Sequence, residues 1–145
     1  MPDFIPWREQ NGSGTGTLYG RGSGPGPGGG CRRGCVIVQD GRIVGRGRNR
    51  REETQTTVSH AEMEAIAQAN RALGTWRLDT CELYVTLEPC PMCAGAILNA
   101  RIPRVWYGAR DRAFGACGGV TNLFMEEFPN RPWWAAFWEK RAGRY

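Results

Sequence analysis

Apolar positions first fall into a regular order at Val36-Ile37-Val38 and resume after Asp40-Gly41 with Ile43-Val44. That spacing predicts two short strands joined by a tight Asp-Gly hairpin turn. Arg46 to Thr57 is polar and reads as a loop. Ala61, Ala65, Ile66, Ala69 and Leu73 then recur three and four residues apart, which predicts a helix capped by the Ser59 hydroxyl and stopped at Gly74. An apolar stripe of that kind needs a sheet to lie against. Glu82 to Leu87 predicts a compact strand, and Pro91 to Ala100 a helix with proline at its first position. Pro103 marks its stop, Arg104 to Gly108 reads as a further strand, and Trp133 to Lys140 as a short aromatic-rich helix. Strands alternating with helices predict an α/β layer architecture with a partly parallel sheet, opened by the hairpin.

Composition changes the picture mainly at the start of the chain. Between Asn11 and Gly30 half the residues are glycine, with Pro25 and Pro27 among them. Such a stretch cannot bury enough apolar surface to offset the entropy of ordering it. Residues 1–34 are therefore expected to be a disordered lead-in, and 35–145 a single domain. The 145 residues carry a net charge of +5, and eighteen of the nineteen cationic side chains are arginine. The balance favours a polyanionic partner through long-range attraction; the arginine skew reflects either phosphate recognition or the base composition of the gene. No apolar run is long enough to span a bilayer, and Met1 to Trp7 lacks the order of a secretory signal. A cytoplasmic protein with no membrane association is expected. In that reducing setting the six cysteines read as metal ligands or buried thiols rather than disulfides.

The chemistry concentrates in His60-Ala61-Glu62 and Pro89-Cys90-Pro91-Met92-Cys93, in a sequence with no second histidine. Cys90 and Cys93 stand three apart at a helix start, hence on one face, so both sulfurs can reach one ion. With His60 they make three protein ligands, the number that leaves a fourth tetrahedral position of Zn2+ for water. Zinc lowers the pKa of such a water from about 15.7 towards about 7. Glu62, two residues past His60, is expected to stay off the metal and shuttle protons as the catalytic residue. The H-x-E and P-C-x-x-C pair is the known signature of zinc deaminases acting on cytosine C4 or adenine C6. Duller readings exist for each part. Ser59 and Glu62 also spell a capping box, and Cys90 and Cys93 could be buried thiols, a redox pair, or half of a structural site completed by Cys31 and Cys35.

From Val36 to about Phe128 the chain resembles the bacterial tRNA adenosine deaminases of the TadA family. The segments His60-Ala61-Glu62-Met63-Glu64-Ala65-Ile66, Leu83 through Ile97, and Tyr107-Gly108-Ala109-Arg110-Asp111 carry that resemblance. It implies a cytidine-deaminase-like three-layer sandwich, a homodimer, one zinc per subunit held by His60, Cys90 and Cys93, and proton transfer by Glu62. It further implies that Asn49 hydrogen-bonds the target base and that Asp111 approaches the nucleic acid. Read by themselves, Asn49 is a turn residue and Asp111 a loop charge. Glu88 is expected to fix the loop before Pro89, a support for the metal site. Arg101, Arg104, Arg110 and Arg112 line an RNA path or form a solvated basic face. Trp106 and Tyr107 read as core. Gly28 to Gly34 stands where the family has a helix and strand entry, and Trp133 to Tyr145 replaces a further strand and closing helix. If those faces are left bare, stability and dimerisation are expected to suffer.

The function implied is hydrolytic deamination of adenosine to inosine at the wobble position of a tRNA anticodon loop. The rivals are a zinc deaminase of a free base or nucleoside, such as guanine or cytidine, and a non-catalytic zinc-binding remnant.

Overall fold

The computed structural model describes residues 34–125. Strand β1 (Gly34–Gln39) turns back into β2 (Arg42–Arg48), followed by the one-turn helix α1 (Arg51–Thr54) and helix α2 (Ala61–Leu73). Strand β3 (Cys81–Leu87), helix α3 (Pro91–Ala100) and strand β4 (Arg104–Ala109) complete the described part. The sheet runs in the order β2-β1-β3-β4, antiparallel except for the β3–β4 pair, which α3 crosses over to make parallel. Of the predicted features, the lead-in before residue 34 and the Trp133–Lys140 helix lie outside the described residues.

The hairpin forms where the sequence places it. Asp40 and Gly41 both hold positive φ, 48° and 76°, the backbone that a two-residue turn between twisted strands demands. The first difference follows directly. Arg46 to Arg48 belong to β2, because β1 supplies a partner as far as Gly34 opposite Arg48; polarity along one strand carries no sign of such a neighbour. Within the rest of that polar stretch, the Asn49 side-chain oxygen accepts the Arg51 N–H at 3.0 Å and starts α1. The second difference is the cap of α2. His60, not Ser59, is the N-cap, and the Ser59 hydroxyl is engaged by Thr54 at 3.3 Å. The stop at Gly74 holds, with φ 65° and its N–H on the Asn70 carbonyl.

Alternation along the strands builds two apolar faces. Cys35, Ile37, Leu83, Val85, Val105 and Tyr107 face α2 and α3, whose Ala61, Ala65, Ala69, Ala94 and Ile97 complete one core. Full burial of Ile37, Leu83 and Ile97 contributes about 1.5–3 kcal/mol each. Val36, Val38 and Tyr84 are buried on the opposite face with Ile43 and Trp106 against them. There Tyr84 and Trp106 stack at 6.1 Å, and Glu82 accepts from the Tyr84 hydroxyl and the Trp106 ring N–H. Of the two aromatics expected in the core, Tyr107 is buried in the main one, while Trp106 is half-buried and packs against the cluster on the opposite face. What covers this second face, the third layer of the expected sandwich, lies outside the described residues.

Small residues let α2 lie close on β2. A Cβ at Gly47 would collide with the Ala61 carbonyl oxygen and come within 2.7 Å of the Ala65 N. Since Ala61 adjoins His60, this contact sets where the start of α2 sits. Gly47→Ala is expected to destabilise the fold by about 1–3 kcal/mol. Urea denaturation measures it, and a midpoint equal to that of the parent would contradict the close approach.

Candidate metal centre and its cavity

Two helix starts meet at the carboxyl end of β3. The chain leaves β3 at Leu87 and reaches the N-cap of α3 at Cys90, while α1 and the turn after it bring His60 to the N-cap of α2. The His60 ring makes no cap hydrogen bond, and the Cys90 sulfur faces it at the start of the neighbouring helix. Cys93 lies one turn into α3 and is fully buried.

The His60 Nδ1 is 3.6 Å from the Cys90 Sγ and 3.5 Å from the Cys93 Sγ. Tetrahedral zinc, with Zn–S about 2.3 Å and Zn–N about 2.0–2.1 Å, sets its nitrogen and sulfur ligands about 3.6 Å apart. One nitrogen and two sulfurs at that spacing fit such an ion in donor type and in distance. Among the described residues no fourth histidine, cysteine or carboxylate joins the group, which leaves one position open. The structural-site alternative fails on its described half. Cys35 is a core residue of β1 outside the cluster, and its burial raises its thiol pKa well above the usual range. Cys31 lies outside the described residues.

The electrostatics match a cation site. Cys90 is pushed down to about 5, first by a hydrogen bond from the Cys93 thiol, then by the backbone N–H groups of Cys93 and Met92 and the charge of His60. Cys93 is correspondingly raised, by its bond to Cys90 and by burial. One sulfur thus carries the charge and its neighbour the shared proton, a pair that a divalent cation would take over. Glu62 lies within the first turn of α2, only 7% exposed, and is raised chiefly by burial and further by the Cys90 sulfur. The capping-box reading fails, because α2 starts at Ala61 and Ser59 is bonded elsewhere.

A cavity of about 30 Å³ opens here, lined by Asn49, His60, Ala61, Glu62, Val85, Leu87, Glu88, Cys90 and Asp111. It has room for a water or two beside the cluster. The structure brings together all six residues singled out as site candidates except Cys93, which sits directly behind the lining. Asn49 and Asp111 hold turns as well. The Asn49 oxygen starts α1, and the Asp111 Oδ1 accepts the N–H groups of Ala113 and Phe114 at 2.9 and 3.1 Å.

Glu88 acts on a different loop from the one expected. Its buried carboxylate accepts three backbone N–H groups, from Asp111 at 2.8 Å, Cys117 at 2.9 Å and Gly119 at 2.7 Å. Any Cβ at Gly115 or Gly119 would strike that carboxylate. Sequence reasoning missed this clamp, whose only sign is an acid two residues before Cys90 and the glycines from Gly115 to Gly119 further along the chain. It ties the Cys90 turn to the segment that carries Asp111. Glu88→Ala strands three N–H donors, that of Cys117 buried and those of Asp111 and Gly119 partly so, each worth up to about 1–3 kcal/mol unmet. The expected result is a thermal midpoint lower by 10 °C or more, and Glu88→Gln, which accepts through one oxygen only, should fall between.

The arginines divide. Arg104 pairs with Glu82 at 2.7 Å at the opposite end of β4, and Arg101 stacks within 5.9 Å of Trp76 beyond the end of α3. Only Arg110 and Arg112 belong to the loop beside the cavity. The four do not form one path.

Comparison with known proteins agrees with this geometry. The profile of the MafB19-like deaminase family matches residues 28–132. A tRNA-specific adenosine deaminase of Streptococcus pyogenes serotype M18 is 52% identical over 94 residues, 65% of this chain and 59% of that protein. The chain thus spans somewhat more than half the length of this curated relative. A solved structure from work on A-to-I editing by tRNA:A34 deaminases at the wobble position has a TM-score of 0.68 and 42% identity, covering 74% of this chain and 82% of that one. A guanine deaminase from Bacillus subtilis has a TM-score of 0.54 and 42% identity over 64% of this chain and 59% of that one. The mixed four-stranded sheet and its helices are the cytidine-deaminase-like fold. Among the described residues no helix is long and apolar enough to cross a membrane.

Proposed function

This chain belongs to the MafB19-like deaminase family, and from that premise we propose that it hydrolyses adenosine to inosine at the wobble position of a tRNA anticodon loop. The observation that carries the reading is a nitrogen–sulfur–sulfur cluster at zinc-ligand spacing beside a buried carboxylate, in a chain 52% identical over 94 residues to a tRNA-specific adenosine deaminase.

His60, Cys90 and Cys93 would hold the ion, and zinc so bound supplies the Lewis acidity that makes hydroxide available near neutral pH. The overall change forms a bond from water oxygen to C6, breaks the C6–N bond and releases ammonia. Glu62 takes one proton from water and delivers it to a ring nitrogen of the base, then takes the second from the new C6 hydroxyl as it becomes the carbonyl and hands it to the departing amine. Burial suits it to both halves, because a carboxyl with a raised pKa is a stronger base towards water and keeps the proton long enough to pass it on. Asn49, whose oxygen is engaged by Arg51, offers its amide NH2 to the base. Asp111 shapes the entrance. The substrate is tRNA, the setting cytoplasmic, the working unit a homodimer, and the chain is one domain after a lead-in that ends before Gly34, already the first residue of β1.

The likeness to a guanine deaminase supports a second reading, a free purine base as substrate. Incubating the zinc-loaded protein with an anticodon stem-loop, with adenosine and with guanine separates them. Inosine in the stem-loop alone is the expected result, while turnover of guanine without turnover of RNA would install the second reading.

A further inference from the structure

We propose that Phe114 is a stacking platform for the nucleobase next to the target nucleotide. The inference rests on the RNA reading above and deepens it, by naming the part of the chain that tells a strand from a free nucleoside.

Phe114 is 68% exposed. Leaving a phenyl ring in water forgoes the burial that stabilises every core aromatic, and Phe124, ten residues on in the same segment, is buried in the main core. The loop therefore buries one ring and holds the other out. Its position is tied to the cavity, since the Phe114 N–H donates to the carboxylate of Asp111, a lining residue. The frame beneath is rigid. Gly115 N–H donates to the Asp111 carbonyl at 3.0 Å, Val120 N–H to the Gly115 carbonyl at 2.9 Å, and Glu88 grips the N–H groups on both sides. A ring presented on a fixed loop loses little entropy when a ligand stacks on it.

The surroundings favour a nucleobase over a second protein surface. Exposed Arg112 lies two residues from the ring, and the chain carries a net charge of +5. Protein interfaces deplete charge at their centre, whereas sites for single-stranded nucleic acid interleave cations for the backbone with aromatic faces for bases. Val120 on the same loop and Val58, two residues before His60, are also exposed. A base pulled into the cavity leaves its neighbour unstacked, and Phe114 offers a replacement partner.

The probe is an anticodon stem-loop RNA carrying 2-aminopurine at one or the other neighbour of the target adenosine, or an abasic residue there, bound to the full zinc-loaded chain at fixed salt. Stacking on the ring is expected to quench one of the two labels. Phe114→Ala should abolish the quenching and raise Kd about tenfold or more, while Phe114→Trp keeps both near the parent. The abasic RNA should bind the parent and Phe114→Ala alike, and bound zinc should not change. The abasic comparison on the unmodified protein reads the same contact without any variant. Equal loss of affinity by Phe114→Ala for base-bearing and abasic RNA would overturn the platform. So would a dimer that sediments as a monomer after that substitution, since the ring would then cover a second copy. Ring-dependent binding without inosine would sink the deaminase reading and leave the platform standing. Inosine formed equally by parent and Phe114→Ala would do the reverse, and an RNA that does not bind at all would remove the platform.

Discussion

Glu62→Gln should lower deamination of the stem-loop by about 10²–10⁴-fold, the span that one positioned proton-transfer group contributes, while bound zinc stays at the parent's level. The carboxyl lies outside the ligand cluster, so replacing it by its neutral isostere leaves the nitrogen and two sulfurs in place. The same variant should be more stable than the parent near neutral pH. Burial, reinforced by the Cys90 sulfur, holds the folded-state pKa of Glu62 above its unfolded value. A group shifted in that direction contributes stability below the unfolded pKa and loses it as pH rises through the folded one. The gain in thermal midpoint from Glu62→Gln should therefore shrink as the buffer is made acidic. Metal analysis, an inosine assay and melting curves from pH 4 to pH 8 check the three parts. A variant that keeps its turnover returns Glu62 to a structural role and the chain to a zinc-binding remnant.

Cys93→Ala has the other large effect, on the ion itself. It removes one of three ligands and also the thiol hydrogen bond that is the first cause of the low Cys90 pKa, so the remaining sulfur becomes a poorer ligand at pH 7. Zinc retained after gel filtration should fall from about one per chain to near none, and activity with it. An ion that binds only the folded chain stabilises it by RT ln(1 + [Zn]/Kd), about 4 kcal/mol at a thousandfold excess over Kd. The parent's melting point should rise with added zinc on that account, and the variant's should not. Full retention of zinc by Cys93→Ala would place the ion elsewhere, and with it the chemistry.

The two effects differ in how much of their basis the sequence exposes. His60, Cys90 and Cys93 were legible because metal ligation restricts side-chain type sharply, and a single histidine left one choice. The C-x-x-C pair falls at a proline-started helix, so its two sulfurs share a face by helical geometry alone. Glu62 was legible as a residue, but its burial and raised pKa were not, since those come from what packs around it. The Ser59 cap was misplaced by one residue for a related reason. A hydroxyl before a helix is a good cap in isolation, yet here Thr54, from a segment read as loop, engages it.

The sequence by itself determined the order of the hairpin, α2, β3, α3 and β4, the turn at Asp40-Gly41, the bounds of α3 and the three candidate ligands, because turn chemistry, 3.6-residue periodicity and ligand chemistry are all local. Tertiary structure alone decided that His60 and Cys93, thirty-three residues apart, stand 3.5 Å from one another. It also decided that Glu88 clamps the loop behind Asp111, and that Arg101 and Arg104 lie away from the cavity. Those outcomes depend on how β3 pairs with β4 and how closely α2 settles on the glycines of β2. Pairing and packing distances are properties of surfaces brought together in space, and no stretch of chain contains them.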